Sequence, residues 1–463
     1  MNRFMTTVVM ISVALPAFLL AQAEVKNGAG ADTFPSPVNK AETGMKFGGG
    51  GDLRFREEMK HELPGSGVTA KKMENMLRLR SRLWGSASYE DYALYGRVAN
   101  EFRVYTARSG KNKAGMSTYD FPDELYLDSL YFDARNVARD RLDLRLGRQE
   151  LKYGDGRIIS DGSAADGARS SYFDAVKATL RITEKTALDV FGVYMADYDE
   201  AALGPYDRPM GTINSSYADN EESGAGLYLT VGEVKEFPFE LYCVWKKETH
   251  SHNVGAKEYG RDFHTFGTRL LPRFSEQLSA EVEFAVQAGE TEDGRTIFGY
   301  MGYGGVSYVI APDSPFTPTV TPAVLCLSGE DKPGSGDDNN WNAVFNRTTW
   351  FSVLLSEQYK NYRWANLVYP HLAGSVSVFK SQKVKLHTGP VFCVEDDQAS
   401  NGAGDTYKGY LTYARYEAPL LKGFLGKRSD LSHAVQLEVF EPGGYYETDE
   451  AAMFLRWEVI AKF

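Results

Sequence analysis

Leu77-Arg78-Leu79-Arg80-Ser81-Arg82-Leu83 is the stretch on which the fold turns. Leucines at 77, 79 and 83 alternate with arginines at 78, 80 and 82. On a helix these side chains would be scattered around the circumference, whereas a strand sorts them onto two faces, one apolar and one cationic. Leu278-Ser279-Ala280-Glu281-Val282-Glu283-Phe284-Ala285-Val286-Gln287 repeats the pattern, with every even position apolar and carboxylates and an amide among the odd ones.

Working outward, the same alternation recurs over segments of about ten residues from residue 51 to the end. It predicts eighteen strands, at 51–60, 74–87, 91–105, 122–134, 141–151, 172–182, 186–196, 222–231, 238–248, 260–271, 277–289, 295–308, 319–328, 371–381, 383–394, 406–417, 432–441 and 451–463. The connections after the fifth, seventh and thirteenth are long, at 153–171, 197–221 and 329–370. Those after the sixth and fourteenth are a few residues each. Short periplasmic turns alternating with long outer loops have this parity. The fold class expected is all-β, a transmembrane antiparallel β-barrel of eighteen strands with long extracellular loops. The connection at 309–318 is long for the periplasmic side.

Composition agrees. Aromatics make up 13% of the 463 residues, with 28 Tyr, 26 Phe and 45 Gly, although no apolar run after the first twenty-odd residues suits a membrane helix. A barrel reconciles these, since one face of each strand is apolar and aromatics collect at the two interfaces. The net charge of −11 argues against nucleic acid as a partner. Cys243, Cys326 and Cys393 fall inside predicted strands and cannot all pair, so no disulfide framework is expected and they read as small apolar fillers.

The two ends of the chain carry export signals. Arg3, the apolar run Met5 to Leu20 and the small-x-small site Ala21-Gln22-Ala23 read as a signal peptide over residues 1–23. The alternative, an anchoring helix, needs a longer run. Residues 24–45, rich in Gly, Ala, Pro and Asn, read as a mobile leader, and residues 46–463 as the barrel domain. At the other end, counting back by twos from Phe463 meets Ala461, Val459, Trp457, Leu455 and Met453, with Lys462, Glu458 and Arg456 between them. A terminal aromatic closing an amphipathic strand resembles the signal read by the barrel-assembly machinery, so Phe463 and Trp457 are the expected assembly residues.

Leu142-Asp143-Leu144-Arg145-Leu146-Gly147-Arg148-Gln149-Glu150-Leu151, followed by Tyr153-Gly154-Asp155-Gly156-Arg157, resembles the alginate export family of eighteen-stranded outer-membrane porins. In that family a Gly-Arg-Gln strand ends in a Gly-Asp-x-Arg loop. Tyr172-Phe173-Asp174-Ala175-Val176, Glu283 to Gln287, Leu327-Ser328-Gly329-Glu330-Asp331, Phe345, Phe440-Glu441-Pro442-Gly443 and the closing strand extend the likeness over residues 47 to 463. The acidic total charge and the extended connections at 309–370 depart from it. The resemblance implies a conduit for an acidic polysaccharide in the bacterial outer membrane, its constriction lined by arginines.

The expected inward set is Arg54, Arg56, Arg78, Arg80, Arg82, Arg97 and Arg103 on strands 1 to 3, with Arg145, Lys177 and Arg181 on strands 5 and 6, and Arg148 and Arg157 beyond. Arginine keeps its charge and grips carboxylates bidentately, so a ring of them lowers the entry barrier for anions. Glu101, Glu124, Asp128, Asp143, Glu281 and Glu283 are expected to face inward too, and the competing reading is that the two signs merely neutralise one another.

Other chemistry is thin. His250-x-His252 lacks a third ligand, Asp337-Asp338-Asn339-Asn340 reads as a solvated loop tip before a calcium loop, and no cofactor or metal is expected. Gly299, Gly302, Gly304 and Gly305 lack a phosphate loop's lysine and read as strand glycines where a loop packs close. No Ser-His-Asp or paired-carboxylate site is discernible, so a pore is expected and not an enzyme. The rivals are a porin for small anions on the same fold and a barrel or secreted carbohydrate-active enzyme.

Overall fold

In a computed structural model of the chain, the described residues are 44–61, 73–108, 119–120, 124–160, 172–196, 202–204, 221–249, 259–331, 336–346, 348–358, 364–378, 381–396, 404–426, 429–446 and 450–463. The expected signal peptide at 1–23, nearly all of the expected leader, and His250 and His252 lie outside them.

Eighteen long strands run in order: β1 Lys46–His61, β2 Met73–Tyr89, β3 Tyr92–Arg108, β4 Leu125–Asn136, β5 Leu142–Gln149, β6 Phe173–Arg181, β7 Thr186–Met195, β8 Glu222–Val231 and β9 Phe239–Glu248. The second half comprises β10 Arg261–Leu270, β11 Leu278–Thr291, β12 Thr296–Val309, β13 Thr319–Leu327, β14 Leu367–Val378, β15 Gln382–Phe392, β16 Tyr407–Lys422, β17 Asp430–Pro442 and β18 Ala452–Lys462. Each pairs antiparallel with its neighbours in sequence. β1 also pairs with β18, from Asp52 opposite Lys462 to His61 opposite Met453, so the sheet closes and no edge is left. Among the described residues no helix is long and apolar enough to cross a membrane, and crossing is by strands.

Every expected strand is present. β1 begins at Lys46 because Lys46 to Gly51, whose glycine run carries no alternation, is held extended by pairing with β2 from Ser88 to Leu83. β14 begins four residues early, since Leu367 to Tyr369 pair with β13 at the outer end. The connection at 309–318 is a compact turn, closed by hydrogen bonds from Ile310 N to Pro318 O and from Ser314 N to Ala311 O.

Alternation holds on both walls. Leu83, Leu130, Phe132, Val190, Leu241, Phe266, Phe284, Leu372 and Leu437 stand exposed on the outer face, Leu83 at 51%. A belt of that size is untenable in water and suits lipid. Asp52, Arg54, Arg56, Arg78, Arg80, Glu101, Glu283 and Glu458 are buried on the inner face.

The expectation of a polar lumen and outward loops fails in the outer half. The inner faces of β6 to β14 there carry Phe173, Phe191, Val193, Tyr228, Tyr242, Val244, Phe263, Leu325, Leu327 and Tyr369, all buried in one cluster. What buries them is two connections folded back inside the barrel. Leu151, Tyr153, Ile158 and Ile159 come from the first, and Trp341, Phe345, Leu354, Leu355 and Trp364 from the second. The two meet in a parallel pair, Phe345 opposite Ile159 and Asn346 opposite Ser160. A six-residue helix, α1 Val353–Gln358, is tied to β17, where Glu438 accepts from Ser352 Oγ (2.7 Å) and the backbone N–H of Val353 and Leu354 (3.0 Å each). Asp338, expected at a solvated loop tip, is 1% exposed and bound to Arg261 at 2.7 Å. Among the described residues no three His, Cys, Asp or Glu side chains converge on a metal site.

Candidate functional site

The inner face of β16, β18 and β1 to β3 concentrates the arginines. Alternation puts Asp52, Arg54, Arg56 and Glu58 on one row of β1, and Arg78, Arg80 and Arg82 on the next row of β2, register pairing Arg54 with Arg80 and Arg56 with Arg78. Guanidiniums this close repel unless carboxylates intervene. Asp52 sits between Arg80 (3.1 Å) and Arg82 (2.7 Å), and Glu101 between Arg54 (2.9 Å) and Arg78 (3.0 Å). Glu58 holds Arg456 (2.7 Å), Arg78 (3.0 Å) and Arg56 (3.4 Å). Glu458 joins Arg56 and Arg415, both at 2.7 Å, and Glu417 takes Arg415 as well, also at 2.7 Å.

In these ion pairs arginines 54, 56, 78, 80, 82, 415 and 456 share the carboxylates at 52, 58, 101, 417 and 458. Arg82 reaches Asp52 through Nε, and its Nη1 has no hydrogen-bond partner among the described residues. Arg103 shares the inner side of β3 and lies opposite Arg78 in register.

Elsewhere each expected cation is met by one or more carboxylates of its own. Arg97 binds Asp128 and Glu150. Arg145 grips Asp133 bidentately at 2.7 and 3.1 Å, Lys177 meets Asp189 at 3.2 Å, and Arg181 meets Asp143. Arg157 comes from the first inserted segment and crosses to the wall, reaching Glu281 (2.5 Å), Glu283 (2.7 Å) and Asp155 (3.2 Å), with its guanidinium 3.8 Å from the centre of the Tyr303 ring. Burial opposes the charge on Arg157, but Glu281, Glu283 and Asp155 outweigh it and raise its pKa above the ordinary arginine value. It therefore acts as a pin for the segment that carries it.

Arg148 departs from the expected inward set. It binds Asp174 at 2.9 and 3.0 Å, and Asp174 lies between Phe173 and Ala175, both buried inside, so the pair belongs to the outer side of the wall. The reason is local. Gly147 takes a φ of +119°, open to glycine, and a Cβ there would come within 2.3 Å of Leu130 O. Through that residue the pairing with β4 and β6 runs without a register shift, so alternation puts Arg145 and Gly147 inside and Arg148, with Leu146, outside.

Arg415, Arg456 and Glu458 were outside the expected set. Their strands alternate as plainly as β2 does (Tyr413, Arg415, Glu417; Phe454, Arg456, Glu458), so the signal was present. Their adjacency to β1 follows only from closure.

Solved structures with this fold are outer-membrane porins. A BenF-like porin from Pseudomonas fluorescens Pf-5 is 10% identical, covering 90% of this chain and 98% of its own, with a TM-score of 0.57. OccAB1 from Acinetobacter baumannii is 9% identical over 90% and 97%, with a TM-score of 0.56. OpdK from Pseudomonas aeruginosa, in a structure with vanillate, is 11% identical over 90% and 98%, also at 0.56. Identities this low speak for fold alone. No curated protein matches the sequence. The model of the alginate export family matches residues 46–412, from the start of β1 into β16, and the chain belongs to that family of porins in the bacterial outer membrane.

Proposed function

We propose that the barrel passes anionic saccharides, alginate or a similar acidic polysaccharide, along the arginine wall of β16, β18 and β1 to β3. In this reading residues 1–23 direct export, 24–45 form a leader, and 46–463 are the conduit. The observation that carries the proposal is the row of guanidiniums on that wall and the way they share their carboxylates. Each of these carboxylates is shared by two or three guanidiniums, except Glu417, which shares with Lys385 at 3.6 Å, and a row so rich in guanidinium favours the passage of anions.

The test follows from how the carboxylates are shared. Changing Arg78 to an acid would set a third carboxylate against Glu58 and Glu101. Arg82→Gln with Arg415→Gln is cleaner, because Asp52 keeps Arg80, Glu458 keeps Arg56, and Glu417 keeps Lys385. In planar bilayers under a salt gradient, the wild type should prefer anions and the double variant should move toward cations. Arg148→Gln, on the outer side, should leave the reversal potential where it was. A double variant with the wild-type reversal potential and a folded barrel would reduce these arginines to wall hydration.

A second reading, uptake of small carboxylates, is favoured by the apolar cluster that fills the outer half on the side of β6 to β14, which narrows the room for a polymer. Vanillate, found with OpdK, belongs to that class. Liposome swelling separates the two: entry of a small monocarboxylate together with exclusion of an oligouronate favours uptake.

A further inference from the structure

Below the arginine wall, near the turn joining β2 to β3, three aromatic rings stand side by side on the inner face. Trp84 follows Arg82 on the inner row of β2, Tyr95 precedes Arg97 on β3, and Tyr131 lies opposite Tyr95 on β4. Trp84 and Tyr95 stack with centroids 5.9 Å apart and planes 20° apart, and Tyr95 and Tyr131 at 4.9 Å and 17°. Arg145 closes the series, its guanidinium 4.1 Å from the centre of the Tyr131 ring. All three rings are half-buried, whereas Arg54 and Arg56 above them are fully buried.

The first strand makes room for this ledge. Gly50 faces Trp84 in register, and a Cβ on Gly50 would come within 2.9 Å of the indole. Gly48 and Ser86, the next inner positions toward the turn, are opposite one another and also small. The wall beside Trp84 therefore carries no bulk. The stacked rings carry an indole N–H and two phenol hydroxyls as their polar groups, that of Tyr95 meeting Arg97. Guanidiniums flank the row, Arg82 with Asp52 on one side, and Arg97 with Asp128 and Glu150 and Arg145 with Asp133 on the other.

We infer that this ledge is a loading subsite for an acidic saccharide at the periplasmic mouth, rings meeting sugar hydroxyls while Arg82 takes the carboxylate. Polar ring groups and a guanidinium in one rigid row suit a chain that carries hydroxyls and a carboxylate on every unit. The inference rests on the reading of the permeant given above and adds the residues that receive it first.

Sidedness is what the subsite adds to a charged lumen, and it is what the experiment reads. Single wild-type channels of known orientation are challenged with a short oligouronate, then with a neutral oligosaccharide of the same length, from each side in turn. Block by the oligouronate should be stronger from the periplasmic side. Trp84→Ala should weaken that block about tenfold while leaving block from the other side nearly unchanged. Tyr95→Phe with Tyr131→Phe keeps the stack and removes both hydroxyls, and it should weaken periplasmic block by a smaller factor; it decides the matter if Trp84→Ala does not fold. Equal block from the two sides, or wild-type block in the folded variants, overturns the subsite. No block of the wild type by the oligouronate from either side overturns instead the reading of the permeant on which the subsite rests.

Discussion

Glu58 accepts from three guanidiniums, those of Arg56, Arg78 and Arg456, and is buried with them. Removing one partner of a buried ion pair leaves the other charge uncompensated, which costs about 3–5 kcal/mol. Glu58→Ala should therefore destabilise the barrel by roughly that amount, whereas Arg82→Gln, whose carboxylate keeps Arg80, should cost about 1 kcal/mol or less. Urea midpoints in detergent, followed by the heat-modifiable shift on gels, compare the two. Equal losses would mean that the carboxylates do not organise the wall.

Two inserted connections and one closing strand set the behaviour of the elements. Phe345 is the residue on which the insertions depend: wholly buried, edge-on to Phe173 at 6.0 Å and beside the Lys246 ammonium at 5.3 Å. Truncating a buried phenylalanine costs about 3–5 kcal/mol. The loss falls on the inserted segments, because the strand ladder does not include Phe345. Phe345→Ala should raise single-channel conductance and noise while the barrel stays heat-modifiable. Unchanged conductance would show that the insertions do not bound the path. The closing strand depends on its last residue, since the Phe463 N–H donates to Gly51 O (3.0 Å) and the Phe463 carbonyl oxygen accepts from the Gly51 N–H (2.8 Å). Deleting Phe463 removes both bonds at the seam and, with Trp457, part of the proposed assembly signal. Outer-membrane levels of folded protein should fall several-fold on immunoblots; undiminished levels would leave assembly to other residues.

At the scale of the molecule, strand parity places alternate connections on opposite sides of the membrane. The hairpin tip at Asp293 and Gly294 joins β11 to β12 on the outer side, and the tip at Glu184 and Lys185 joins β6 to β7 on the periplasmic side. A short epitope inserted between Asp293 and Gly294 should bind antibody on intact cells. The same epitope between Glu184 and Lys185 should bind only after the outer membrane is opened. The reverse pattern would invert the barrel and, with it, the side from which the ledge at Trp84 is loaded.

Alternation determined the barrel. Leu77, Leu79 and Leu83 against Arg78, Arg80 and Arg82 already separate lipid from lumen, because side chains on a strand have only two faces to choose between. Repeated eighteen times with short and long connections in turn, that choice leaves few architectures besides a closed wall. The inward arginines of strands 1 to 3 were legible for the same reason, and the family likeness at Gly147 to Arg157 located the first inserted segment without showing that it is inserted. Tertiary structure decided whatever depends on residues far apart in sequence. Closure brought Arg456 and Glu458 beside Arg56, about four hundred residues away. Arg148 shares the even row of Leu144 and Leu146, so its outward place follows from the same count by twos that puts Arg145 inside. The apolar inner positions Phe191, Val193, Tyr242 and Val244 leave β7 and β9 with two apolar faces, and from sequence nothing says what covers the second. The covering segments, at 150–160 and 341–358, carry no strand or helix period long enough to read, since their conformation is imposed by the cavity they fill.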